Sequence, residues 1–394
     1  MIEAAVQFPV MFWRNMAIYK RNMLVAQMSA TILYFSHTVR RGCIVTLHKT
    51  CYVHSKIVAF FLPMSIITLT EPDTPLNNAY HVGSFNLLGV QRMAEKEHQA
   101  PLSVADQINN LISLGLTIED EEYAQTFLND VSYFRLIKAY SLGLKPKNGK
   151  YNEGVTFSQI VQLYKFNCNF RQLLFSMIER IEVNLRCRLA NHFSSKYGVL
   201  GYEDAANFAD ADYHAEFLDD IEREVERNSK SPFVRNFRIN YKDGKIPMYA
   251  LVELFSFGTL SKFFKNMKNE DKKAVASTYG IGYTYFESWI ESIAYVRNLC
   301  AHYGRLYNAK LSKTPMLYKQ YNEAGIGNIR IFGVLICLFH LIPHDAHWEE
   351  FVDQLEVLIQ KYPSVNIGTM GFPENWKDYL SVTTKQEQQF ACSR

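Results

Sequence analysis

The run Tyr295-Val-Arg-Asn-Leu-Cys-Ala-His-Tyr-Gly-Arg-Leu-Tyr-Asn308 gathers side chains suited to proton transfer and anion binding. An imidazole with an ordinary pKa of about 6.5 can take and return protons near neutral pH. Guanidinium stays charged there and can fork onto two oxygens of one phosphate. Read as a helix with 100° per residue, the run places Asn298, His302 and Arg305 within about 60° of one another. Glu291, two turns earlier, joins that stripe, while Arg297 lies roughly 100° to its flank. Trp289, Ile293, Val296, Cys300 and Tyr303 face the other way, toward a core. A helix needing only solubility would carry Lys and Glu on its wet face. This one carries a proton-transfer group framed by guanidiniums and a carboxamide.

Helices must hold these groups, and the spacing predicts where. Ser103 caps a helix running to Gly115, and a second passes Glu121 to Leu128. Ser132-Tyr-Phe-Arg-Leu-Ile reads equally as strand or helix. Thr156-Phe-Ser-Gln159 is a capping box. It opens a long periodic stretch through Ile160, Leu163, Phe166, Phe170, Leu174, Met177, Ile181, Leu185 and Leu189, ending before Gly198. Further helices are expected at 211–227, from Pro232, and at 247–256, 259–279, 284–307, 328–342 and 346–361. Strand-like alternation is nearly absent, so the body reads as all-α, a helical bundle around one long central helix. GxGxxG, GxxxxGK[ST] and GxSxG signatures do not occur.

The chain has 394 residues, 48% of them apolar and 14% aromatic, enough to bury a sizeable core. Charge is unevenly spread. Residues 1–92 hold eight Lys/Arg and three acids, whereas the rest holds 34 and 36. The body is therefore no general polyanion binder, and nucleic acid would have to use a local patch. Residues 1–92 read as an atypical basic, apolar extension, with Met93 the expected start. Its apolar stretches 23–39 and 57–70 fall short of the ~20 residues that span a bilayer, and the rival reading is a basic membrane-associated leader. The expected divisions are 1–92, an N-terminal helical subdomain at 93–150, the main helical domain at 151–365 and a polar tail at 366–394. Seven cysteines without CxxC pairing fit reduced thiols and a cytoplasmic protein. His340, His344 and His347 have ligand-like spacing, but Pro343 interrupts their helix, so no metal or cofactor is expected.

Arg297-Asn-Leu-Cys-Ala-His302 resembles the R-x4-6-H signature of HEPN domains, with Asn after the Arg. The extended form from Trp289 to Arg305-Leu-Tyr-Asn308 resembles the Abi-like abortive-infection proteins of bacteria, the AbiD/AbiF type. Other landmarks follow in order over roughly residues 100–365. They are Gln107-Ile-Asn-Asn-Leu-Ile-Ser-Leu-Gly-Leu116, Phe127-Leu, Ser132-Tyr-Phe-Arg-Leu136, Glu182 with Arg186, and Glu253-Leu-Phe-Ser-Phe-Gly-Thr-Leu-Ser-Lys262.

The resemblance implies a HEPN-like fold and metal-independent endoribonuclease activity in phage defence, with two motifs meeting across a homodimer. The substrate's own 2′-OH would attack, leaving 2′,3′-cyclic phosphate and 5′-OH ends. His302 would then be the acid or base, Arg297 the phosphate and transition-state contact, Asn298 an orienting group and Arg305 a further phosphate contact. Such a toxin needs restraint by low expression, an RNA or antitoxin partner, or an occluded site. The alternative is an inactive RNA-binding or scaffold module. Blander readings stand beside these roles. His302 with Asn298 could lock helix packing, and Arg305 could sit near a helix end, where cations are favoured. Glu291 could be a solvated carboxylate or tune the site. Glu182 and Arg186 could form an i,i+4 salt bridge or support the site from behind. Tyr303 and Tyr307 read as packing residues. Lys262-Phe-Phe-Lys265-Asn-Met-Lys268 could track RNA or be an ordinary amphipathic helix.

Overall fold

The computed structural model describes residues 51–53, 56–58, 100–145, 148–343 and 346–381. The chain divides into two units, Met1–Glu95 and Lys96–Arg394. In the first, strand β1 (Cys51–Val53) pairs antiparallel with β2 (Lys56–Val58), Cys51 opposite Val58. Met93 lies outside the described residues, as do residues 382–394 and His344.

The second unit is an all-α bundle, and its entry points are set by side-chain caps. Ser103 accepts from Asp106 N at the head of α1 (Val104–Ser113), and Asp120 accepts from Tyr123 N at α2 (Glu121–Asp130). The ambiguous segment after α2 is a π-helical turn, Phe134–Lys138, packed against the long helix. Thr156 and Gln159 form the reciprocal capping box that starts α3 (Phe157–Tyr197), a helix of 41 residues. Thr117 ties this start to the preceding loop: its N–H donates to Val155 O, and its carbonyl accepts from Phe157 N.

Helix α3 is the axis of the bundle. Its apolar positions recur at threes and fours and are buried on several sides by later helices. After α3 come α4 (Ala211–Arg227), α5 (Pro232–Asn240), α6 (Met248–Leu251), α7 (Phe257–Asn266) and α8 (Asn269–Ser277). Then follow α9 (Tyr283–Ala301), α10 (Lys319–Glu323), α11 (Ile331–Leu341), α12 (Ala346–Lys361) and α13 (Trp376–Leu380). Helix α9 carries Arg297 and packs on α3, α7 and α8. Helix α11 is apolar on all sides and ten of its eleven residues are buried, which makes it a core element. Among the described residues no helix is long and apolar enough to cross a membrane.

Four expected boundaries change. The helix expected over 247–256 is the short α6 followed by a 3₁₀ turn, Val252–Leu254. The segment 259–279 is two helices rather than one, because Met267 leaves helical geometry to pair with Phe208. Asn266 fixes that break: its carbonyl accepts from Ala209 N, and its side chain exchanges hydrogen bonds with the Asp210 backbone. The helix expected over 284–307 stops at Ala301, for reasons given below. The polar tail expected from residue 366 instead docks as far as Leu380. There Trp348 Nε1 donates to Leu380 O at 2.9 Å, and Trp376 is buried.

Candidate functional site

Helices α3 and α9 run antiparallel, and contacts from α3 to α9 and its flanking turns follow that order. Arg188 donates to Thr278 O near one end, Glu182 meets Arg297 in the middle, and Asn167 meets Gly304 at the other end. The site residues lie along this seam and on the turn that follows it.

In the middle, the Glu182 carboxylate is buried and holds two guanidiniums. Arg297 Nε donates to Oε2 at 3.1 Å, and an Arg186 nitrogen (Nη2) donates to Oε1 at 3.0 Å. Arg186 also donates to Val252 O and Phe255 O, and Arg297 lies over the Phe175 ring. Glu182 and Arg186 are thus more than an i,i+4 pair: the same carboxylate also holds Arg297. Two cations on one anion leave a net positive charge here.

At the end of α9 the backbone turns sharply. His302 is the first residue past the helix, with φ −99° and ψ 23°, and its N–H still donates to Asn298 O at 3.0 Å. Tyr303 then enters the left-handed region at φ 59°, a conformation that costs a side-chain-bearing residue about 1–2 kcal/mol. Gly304 N closes the turn onto Leu299 O. A Cβ on Gly304 would lie 2.9 Å from that same oxygen, so only glycine fits this close approach. Asn167, wholly buried on α3, clasps the outgoing chain. Its carbonyl oxygen accepts from Leu306 N at 2.8 Å and Tyr307 N at 3.0 Å, and its amide donates to Gly304 O.

This turn redistributes the predicted stripe. His302 and Asn298 stay exposed, and neither side chain makes a hydrogen bond among the described residues. The imidazole is therefore open to solvent, not sealed in packing. Arg305 does not follow them, because the helix that would have aligned it has ended. Its Nη1 instead donates to the Tyr307 and Asn308 carbonyls, at 3.1 and 3.4 Å. Burial, together with neighbouring Arg330, lowers the Arg305 pKa, opposed by Tyr140 and Tyr307. Tyr303 is 67% exposed, contrary to its expected inward direction, whereas Tyr307 is buried as expected. Glu291 pairs with Lys313 on the surface at 2.6 Å and faces no arginine.

Two arginines that the sequence had not marked as site residues flank the turn. Arg135, from the π-helical turn, donates from Nη1 to Tyr303 O at 3.1 Å. Arg171, on α3, is the second, and each guanidinium carbon is 5.7 Å from the Tyr303 ring centre. The sequence did hold a signal for Asn167 and Arg171: each falls in phase with the buried apolar positions of α3, where a polar group needs a partner. Cys300 is no nucleophile, since burial pushes its thiol up to about 12 against the opposing pull of Arg171.

The Lys262–Lys268 segment offers no stacking face, because Phe263 and Phe264 are both buried. His340 sits in an aromatic cluster, within 2.7 Å of the Tyr321 hydroxyl and stacked on Trp289. Among the described residues no group of three His, Cys, Asp or Glu is placed to hold a metal ion.

No curated protein and no solved structure matches the chain. One family model does match, that of the Abi-like proteins, over residues 126–308. The matched segment begins in α2, takes in the π-helical turn, α3 and α9, and ends at Asn308, one residue beyond the backbone that Asn167 clasps. Over those residues the chain is similar to the Abi-like protein family.

Proposed function

We propose that this chain is an abortive-infection effector that cleaves cellular RNA in the cytoplasm without a metal, using the RNA's own 2′-OH. The observation that carries this reading is the exposed, unbonded imidazole of His302, one turn beyond an arginine that buried Glu182 holds in place. His302 moves the protons, Arg297 faces the non-bridging phosphate oxygens, and Asn298 orients the substrate. Arg305 serves the backbone of the turn rather than the phosphate. One motif supplies one imidazole, so a symmetric homodimer brings the second, and the pair divides the acid and base roles. A regulatory RNA or an antitoxin keeps such an activity in check before infection.

Sequencing of RNA ends after induction tests the mechanism. Wild type yields 2′,3′-cyclic phosphate and 5′-OH ends, and His302→Ala lowers cleavage by about 10²–10⁴-fold. Ends carrying 5′-phosphate and 3′-OH, or a strict magnesium requirement, would exclude it. A second reading, an RNA-binding module that does not cut, is favoured by the commitment of Arg297 to Glu182. Equal toxicity of wild type, His302→Ala and Arg297→Ala on overexpression would select that reading.

A further inference from the structure

The turn after α9 places the exposed Tyr303 ring, next in sequence to His302, within reach of two guanidiniums. Tyr303 presents 67% of its surface, and Phe134, next to Arg135 on the π-helical turn, presents 78%. π-helical turns are rare and gather at functional sites. Arg135 is exposed and uses one donor on Tyr303 O, leaving the rest of its fork for a ligand. Lys138 is exposed on the same turn.

Arg171 is the more telling of the two. It is 8% exposed, and its Nε and Nη1 find no acceptor among the described residues, while Nη2 reaches only the Cys168 sulfur, at 3.3 Å. Neither Arg135 nor Arg171 forms an ion pair among the described residues. A guanidinium held without a carboxylate under a thin surface projects its charge outward, undiminished by a counterion. An aromatic face for a base and fixed positive charge for the flanking phosphates are what a single-stranded nucleic acid requires. Aromatic residues and arginine also mark protein interfaces, so self-association is measured beside RNA binding below.

We propose that Tyr303, Arg135 and Arg171 form an RNA subsite beside His302, in which the Tyr303 ring stacks a base and the two guanidiniums hold the adjoining backbone. Arg135 makes the direct phosphate contact. Arg171 acts through the ring and the local potential, as a positioning residue. The subsite rests on the RNA-directed reading of His302 and supplies it with a strand register: a base on Tyr303 sets the neighbouring phosphodiester against the imidazole one residue away.

The test uses full-length protein carrying His302→Ala, so that cleavage does not interfere. Binding of a fluorescein-labelled 12-nucleotide single-stranded RNA is followed by anisotropy across a salt series. Adding Tyr303→Asn, which tolerates the left-handed backbone but lacks the ring, weakens binding by about 10-fold. Adding Arg135→Gln weakens it and lowers the salt slope by about 0.7, the value for one single-strand phosphate contact. Adding Arg171→Met weakens binding with a smaller change of slope. If Arg171→Met does not fold, the exposed Arg135→Gln decides. Affinities within about two-fold of the parent for the folded variants would overturn the subsite. So would loss of self-association, read by sedimentation, with RNA affinity intact, since that would make the patch a protein interface. The outcome is separable from the nuclease reading. Wild type that never cuts, while these variants still separate in affinity, removes catalysis and leaves the subsite. Wild type that cuts, while the variants bind like the parent, removes only the subsite.

Discussion

Glu182 and Arg171 lie eleven residues apart on one face of α3, about 16 Å along its axis, and both look toward α9. Around Glu182 the arginines are answered: Arg186 and Arg297 share its carboxylate, and Arg186 takes two carbonyls besides. Around Arg171 they are not: among the described residues, Arg171 and Arg135 bond only to a sulfur and a backbone carbonyl and lie near the Tyr303 ring. Burying a charge without a partner costs stability, so such a charge persists where something other than folding requires it. The first region holds geometry. The second is left open for a ligand.

The sharpest way to break this contrast is to remove the anion from the satisfied side. Glu182→Ala leaves two half-buried guanidiniums unpaired and is expected to cost about 3 kcal/mol, read as a lower midpoint in urea denaturation. An unchanged midpoint would mean that Glu182 does not hold the seam. Next in size is Gly304→Ala, whose Cβ meets Leu299 O at 2.9 Å. Forcing that contact costs about 1–3 kcal/mol and shifts His302, so RNA cleavage falls with stability. Arg171→Met should behave in the opposite sense to Glu182→Ala. Removing an unanswered buried charge is neutral or stabilises by about 1 kcal/mol, while RNA binding weakens. A marked fall in melting temperature for Arg171→Met would show that the arginine is there for the fold.

The smallest effect concerns a third buried charge, Asp271, which is satisfied like Glu182. Burial pushes its pKa up, but hydrogen bonds from Lys196, Tyr197 and His192 outweigh burial and hold it below the usual carboxylate value. A depressed folded pKa gives stability that is present above the unfolded value and lost as pH falls through the folded one. Thermal unfolding of wild type should therefore lose stability as acid protonates Asp271, and Asp271→Asn should flatten that loss. Parallel pH profiles for the two proteins would exclude the assignment.

Much of the architecture was legible in local residue patterns, because helix formation depends on neighbours three and four apart. Helices at 211–227 and 346–361 were placed to the residue, and the Thr156 capping box marked the start of α3 correctly. Periodicity failed where a distant segment competed for the backbone. Phe208 draws Met267 out of helix, and Asn167 with Gly304 stops α9 at Ala301. That second break matters most for the site, since a helix continued to residue 307 would have kept Arg305 beside His302.

The sequence alone determined the helical class, the long central helix, and the clustering of Arg297, Asn298 and His302 at the end of a later helix. All of these arise from composition and short-range spacing. Only the tertiary structure decided what each arginine contacts. Arg297 is turned to Glu182, Arg305 is spent on backbone carbonyls, and Arg135 and Arg171 arrive from elements more than a hundred residues earlier. The physical reason is that a guanidinium's role is set by the acceptors around it, and those acceptors are assembled by packing between helices.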